Sequence, residues 1–258
     1  MGMVRAAAIR SAARLAVALV VWAAACDRGA RPLRAATVTP ILLFNRRGTS
    51  VEDVAAFETI LDSQHLGYST VSSAQLADLD EVGLRAYRLL IVPGGNFETI
   101  AQHLPAHALA TVHAAVQGGL AYLGVCAGAF LAGHNRYDDR SFDLAPGTDF
   151  DFYADTKRGI RQEAVAISGP GMATHEEYWE DGPELAGRGS VVARYPDGTP
   201  AVTEGTSGRG WVILVGVHPE APPSWRQRLA FSTPIEVGHA YAATVIDAAL
   251  NRTWLPHD

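Results

Sequence analysis

The sequence predicts an α/β fold with a mainly parallel sheet covered by helices on both faces, and three observations carry that reading. Short apolar runs alternate with amphipathic segments of helix length over the first half of the chain. Those runs are apolar almost throughout, as in strands buried on both faces, rather than alternating with polar residues. The residues that carry chemistry fall at the carboxyl ends of the runs, where open α/β sheets hold their ligands.

Taken in order, Val38 to Phe44 is the first strand, with Pro40 near its start. Ser50 and Asp53 form a capping box that opens a helix over 51–64. Val54, Phe57 and Leu61 recur on it at helical spacing, and Gly67 follows as a stop. Tyr68 to Ser72 is the second strand, and 74–86 is helix or loop. Arg88 to Val92 is the third strand, ending at Pro93-Gly94-Gly95-Asn96. Pro105 to Gln117 is a helix with Leu109, Val112 and Val116 on one face and Gly118-Gly119 at its end. Leu120 to Val125 is a strand that delivers Cys126, and a helix starts over Ala127 to Ala132. From His134 to Gly189 the pattern loosens into an insertion of mixed strands and loops over the site, with Ala164 to Ser168 as one strand. Val191 to Tyr195 and Pro200 to Thr203 form a hairpin around Pro196-Asp197-Gly198. Trp211 to Val217 is a strand that delivers His218, and His239 to Asn251 is the terminal helix.

Composition sets the outer bounds. The chain has 258 residues, 48% of them hydrophobic, enough for one sizeable core. A net charge of -6 with no basic run or basic-aromatic stripe argues against a nucleic-acid partner. The N-terminus reads as an export signal over 1–26: Arg5, Arg10 and Arg14 precede the apolar stretch Leu15 to Ala25, and small residues lead into Cys26. A cysteine there resembles the lipidated residue of bacterial lipoproteins. An ordinary secretory signal with an incidental cysteine is the alternative. Residues 27–36 form a polar tether, and 37–258 form the folded domain. A lipid anchor and an exported location, on the periplasmic or outer face of a bacterial membrane, are the expectation. A Cys26–Cys126 disulfide is disfavoured, because it would tie a flexible tail to the buried end of a strand.

Two motifs carry chemistry. Gly124-Val125-Cys126-Ala127-Gly128 puts a thiol on a tight turn between strand and helix, where small neighbours are needed. The helix amides there favour a thiolate. Read blandly, it is a buried cysteine in a glycine-rich turn. His218-Pro219-Glu220 offers an imidazole with a carboxylate behind it, or else an ordinary surface turn. Together they predict catalytic Cys126, His218 and Glu220, with backbone amides of Gly95 and Ala127 as an oxyanion hole. Gly94, Asn96, Asn45 and Tyr178 are candidate substrate contacts. No metal or organic cofactor is called for. His175-Glu176-Glu177 reads as a solvated loop, because no second histidine stands at a metal-ligand spacing. The aspartates between 138 and 151 read as loop caps and surface charge, and Tyr122 and Trp179 as core or pocket wall.

The elbow, Val92-Pro93-Gly94-Gly95, Phe44-Asn45, and Gly208-Arg209-Gly210 before Gly216-Val217-His218-Pro219-Glu220 resemble the class I glutamine amidotransferase-like superfamily. Within it, the chain is most similar to the domain at the N-terminus of fungal biotin–protein ligases, also found as free-standing bacterial proteins. The resemblance implies a flavodoxin-like three-layer sandwich, here with a C-terminal β-rich extension, and the Cys126–His218–Glu220 triad. Two departures stand out: Phe130 occupies the place of a glutamine usual in glutaminase domains, and Asp181 stands where a glycine is expected in the segment Tyr178 to Leu185. The functional expectation is an exported cysteine-triad hydrolase acting on an amide or related acyl bond of a small-molecule or peptide substrate. The alternative is a non-catalytic binding or sensing lipoprotein that keeps the pocket. The separate His-Pro-Glu argues against a peptidase or deglycase-like thiol enzyme.

Overall fold

The computed structural model describes residues 39–145, 148–154, 161–187 and 189–258, with Asp149 described by its backbone alone. The expected export signal, Cys26 and the expected tether lie outside the described residues. The first half runs β1 (Ile41–Phe44), α1 (Val51–Ser63), β2 (Tyr68–Val71), α2 (Ser73–Asp78), α3 (Glu81–Arg85), β3 (Leu89–Val92), α4 (Phe97–Gln102), α5 (Ala106–Gln117), β4 (Ala121–Val125) and α6 (Ala127–Phe130). The second half is richer in strands: β5 (His134–Asn135), β6 (Asp149–Phe152), β7 (Gln162–Ile167), β8 (His175–Glu180), β9 (Pro183–Glu184), β10 (Ser190–Arg194), β11 (Pro200–Ser207) and β12 (Gly210–Val215). Helices α7 (Pro223–Arg226) and α8 (Ile235–Asn251) follow.

The central sheet has seven strands in the order β10-β11-β12-β4-β3-β1-β2. Neighbours from β2 to β12 run parallel, and β11 and β10 add an antiparallel edge. The five parallel strands follow the order of the flavodoxin-like doubly wound sheet. β5-β6-β9 and the β7-β8 hairpin form two small sheets in the second half. The α/β sandwich with a β-rich extension is therefore the fold observed.

Alternation along the strands builds the three layers. Ile41, Leu43, Leu89, Ile91, Leu123, Ile213 and Val215 pack against α1 and α8 on one face. Leu42, Phe44, Leu90, Val92, Tyr122 and Leu214 pack against α4 and α5 on the other. On α1, Phe57, Ile60 and Leu61 are almost wholly buried, each side chain contributing about 1.5–3 kcal/mol.

Several local expectations change. The segment 74–86 is two short capped helices, with a reciprocal Ser72–Gln75 capping box and an Asp80 cap. The helix after Cys126 ends at Phe130 rather than Ala132, because the carbonyls of Leu131 and Ala132 accept from Phe142, Leu144 and Ala145 instead of continuing a helical ladder. Helix α8 begins at Ile235, behind Pro234, rather than at His239. His175 and Glu177 are not in a solvated loop. They lie on β8 and are buried, because β8 is covered by α8. Among the described residues, no helix is long and apolar enough to cross a membrane.

Candidate functional site

The site lies at the carboxyl ends of β3, β4 and β12. Cys126 follows β4 with φ 48 and ψ -104, a sparsely populated backbone state for a residue with a side chain. Its two glycines permit the turn through close packing. A Cβ on Gly128 would stand 2.0 Å from the Val92 carbonyl oxygen, and one on Gly124 would stand 2.5 Å from that of Gly128. The Tyr122 hydroxyl donates to the Gly128 carbonyl at 2.6 Å and fixes the elbow from below.

His218 is placed by pairing rather than by its own strand. Its backbone N–H donates to the Tyr178 carbonyl at 2.7 Å, joining the end of β12 to β8. The ring is 3% exposed. Its Nδ1 donates to Glu220 Oε1 at 2.7 Å and lies 3.8 Å from Asp53 Oδ2. Asp53 reaches this point from α1. Its backbone N–H takes up the Ser50 side chain, as the capping reading requires. Its carboxylate, however, turns inward to accept the Gly94 N–H instead of returning to Ser50. The Ser50 N–H donates to the Gly94 carbonyl. The cap is thus half of a box, and its second half has become part of the site.

Charge at this point is governed by burial. Asp53 is wholly buried, which pushes its carboxyl well above the usual range, and the neighbouring Glu220 adds to the shift. Burial also raises Glu220, to about 7. The two carboxyls cannot both ionise cheaply. For His218, burial favours the neutral ring. The Cys126 sulfur beside it, and then the Asp53 and Glu180 carboxylates, outweigh burial and raise it to about 9. Glu220 Oε2 and Asp53 Oδ1 are buried without a hydrogen-bond partner.

A cavity of 790 Å³ opens above the ring. Among its lining residues are Cys126, Ala127, Gly95, Asn96, His218 and Tyr178. The expected residues therefore converge in part. Gly95 sits at φ +143, where a Cβ would run into Gly48 and Thr49. The Asn96 side chain caps α4 by accepting from Thr99 at 2.7 Å, so it is committed to local structure. A Cβ on Gly94 would stand 2.5 Å from the His218 ring. Asn45 is not among the lining residues; its backbone N–H extends the pairing to Val71. Glu220 lies behind the imidazole. Phe130 lines the cavity and stacks on Phe97 at 4.5 Å. Asp181 adopts φ 41, the left-handed backbone that a glycine would supply there.

The Cys126–His218–Glu220 triad, and with it the cysteine-nucleophile hydrolase, is corrected by this geometry. The buried set is Asp53, His218 and Glu220, with one ligating atom from each lying within 4.8 Å of the others. The Cys126 thiol donates to the Glu180 carbonyl at 3.7 Å. The chain has two cysteines, and Cys26, outside the described residues, adds nothing to the cluster. The three buried groups have the donor types and spacing that could hold a metal ion. Sequence reasoning missed Asp53, although its position was informative: with Phe57 and Ile60 it falls at i, i+4 and i+7 on the buried face of α1. It also missed Glu52, Glu180 and Trp225, which line the cavity. The insertion was expected over the site, and Phe152, Gln162, Tyr178 and Glu180 bring it there as one wall.

Comparison with known proteins bears on the fold and on part of the sequence. Residues 39–165 match the family "Biotin-protein ligase, N terminal". No curated protein matches the chain. Among solved structures, an exo-β-1,4-mannosidase from Opitutaceae bacterium strain TAV5 is similar at 16% identity and a TM-score of 0.51, over 83% of this chain and 36% of that one. The chain thus spans about a third of that protein. A cytoplasmic protein from Salmonella typhimurium LT2 is similar at 11% identity and a TM-score of 0.52, over 81% of this chain and 98% of that one. A second Salmonella typhimurium protein is similar at 10% identity and 0.51, over 81% and 98%. At these identities the likeness is one of fold.

Proposed function

We propose that the chain binds a small carbonyl-bearing molecule or peptide, with a protonated His218 as the group that hydrogen-bonds and polarises the carbonyl. The observation that carries this is the short Nδ1 bond from His218 to Glu220, with the ring standing beside Cys126 on the wall of the cavity. A ring raised to about 9 is cationic at neutral pH, so it donates rather than abstracts a proton. The amides of Gly95 and Ala127, which line the same cavity, are the natural further donors. Membership of the amidotransferase-like superfamily is supported by the family match and by the sheet order.

N-acetylnorleucine amide is a suitable neutral probe, and calorimetry on wild type and His218→Gln tests the reading. A charge-assisted hydrogen bond to the probe makes the wild type about tenfold tighter. Equal affinity would overturn the reading, as would an acyl adduct found on Cys126 by intact mass. Export with lipidation at Cys26 is part of the same proposal, supported by the leader sequence. Labelling of the full chain by a palmitate analogue, lost in Cys26→Ala, tests it.

A further inference from the structure

The walls above His218 carry an excess of negative charge that the proposed carbonyl contact does not use. Glu180, on β8, accepts from the Tyr178 hydroxyl at 2.6 Å and from Gln162 Nε2 at 3.1 Å. Glu52, on the first turn of α1, accepts from the indole N–H of Trp225. All of these donors are neutral groups, so none of these bonds sets a cation against either carboxylate. Asp181 lines the same cavity, while Arg228 is the one lysine or arginine on it among the described residues and is exposed. His218 is already paired from behind with Glu220.

Aromatic rings accompany the carboxylates. Tyr178 and Trp225 stand 5.1 Å apart between centroids, and Trp225 lies 5.4 Å from the His218 ring. Carboxylates with neutral partners, beside aromatic rings and in a cavity of 790 Å³, match the chemistry that selects a cationic nitrogen. We propose that the ligand carries a cationic ammonium or guanidinium group, held by Glu180 and Glu52 against Tyr178 and Trp225. This rests on the reading that the cavity above His218 binds a carbonyl compound, and it names the class of compound: an amide or peptide with a basic group near the carbonyl.

The test measures three probes of matched length on the full chain by calorimetry: N-acetyllysine amide, N-acetylnorleucine amide and N-acetylglutamate amide. The lysine amide is expected to bind about tenfold tighter than the norleucine amide, with the glutamate amide weakest. Glu180→Gln and Glu52→Gln each narrow the gap between the lysine amide and the norleucine amide, read as the ratio of the two affinities within each variant. Because a substitution can also disturb folding, the wild type is measured at low salt and at about 0.5 M salt. Screening weakens the lysine amide selectively. If the norleucine amide binds in a His218-dependent way but the lysine amide gains nothing, the cationic ligand is refuted and the carbonyl-binding site stands. If no probe binds, both fail.

Discussion

The chain carries the pattern His-x-Glu twice, and the two copies have different fates. In each, the imidazole bonds the glutamate two residues on: His218 to Glu220 at 2.7 Å and His175 to Glu177 at 2.9 Å. Both histidines are raised above the ordinary value, and all four groups are buried. The difference is in where each ring stands. His175 uses Nε2 for Glu177 and Nδ1 for the Ala173 carbonyl, so both nitrogens are spent inside the protein. The ring is closed off by Tyr241, whose centroid is 5.3 Å away. His218 gives Nδ1 to Glu220 and stands beside Cys126 on the wall of a cavity. The His175 pair closes on its own strand and on the residues just before it, away from that cavity, whereas the His218 pair stands on the cavity wall, where it can meet a ligand.

The largest expected effect comes from breaking the pair beneath α8. Glu177→Ala leaves His175 buried without its carboxylate and should cost about 3–5 kcal/mol in chemical denaturation, while the folded fraction still binds the neutral amide. Gly94→Ala attacks the other pair. With a Cβ 2.5 Å from the His218 ring and 2.6 Å from Asp53 Oδ2, it should lose about 1–3 kcal/mol from overpacking and most of the amide binding. If Glu177→Ala abolished binding and Gly94→Ala did not, the division between the two pairs would be wrong.

Titration sharpens the same contrast. The native chain holds His218 protonated to about 9, whereas the unfolded ring releases its proton near 6.5. That stabilisation is complete below 6.5 and is lost as pH rises through 9. Glu220 acts with the same sign: its native value of about 7 exceeds the ordinary 4.5, so stability also falls as pH rises through that interval. Denaturation curves from pH 5 to 9 should show falling stability. The slope above 6.5 should be shallower in His218→Gln, and also in Cys126→Ala, since the sulfur is the first of the influences that raise the ring. A slope unchanged by both substitutions would contradict the assignment.

The smallest effect belongs to the helix that presents Asp53. Ser50→Ala removes the acceptor for the Asp53 N–H and should cost about 1 kcal/mol, with amide affinity reduced less than twofold. A larger loss of affinity than of stability would mean that Ser50, which lines the cavity, touches the ligand directly.

The fold was legible because strand and helix periods are local. The runs ending at Phe44, Val92 and Val125 all became central strands, and Gly67 and Gly118 fell close after helix ends. The glycines of the elbow and His218 were legible as site residues for the same reason: each sits where a strand stops. Asp53 was hidden because one acidic residue in a first helical turn fits a cap as well as a site, and only the Gly94 N–H, far along the chain, decides between them. Glu177 and Glu180 were hidden because β8 gains its cover from α8, which is remote in sequence. The thiol reading failed at the same level. Motif spacing brought Cys126 and His218 together, but it could not count how many carboxylates the imidazole would share.

The most direct test of the central claim is a ring-nitrogen NMR measurement on the histidines of the full chain, with and without N-acetylnorleucine amide. The account predicts a protonated His218 at neutral pH whose Nε2 resonance moves on binding, while its Nδ1, tied to Glu220, stays in place. His175 should not respond. An unmoved His218 at saturating probe, or a mass-shifted Cys126 accompanying the change, would contradict it.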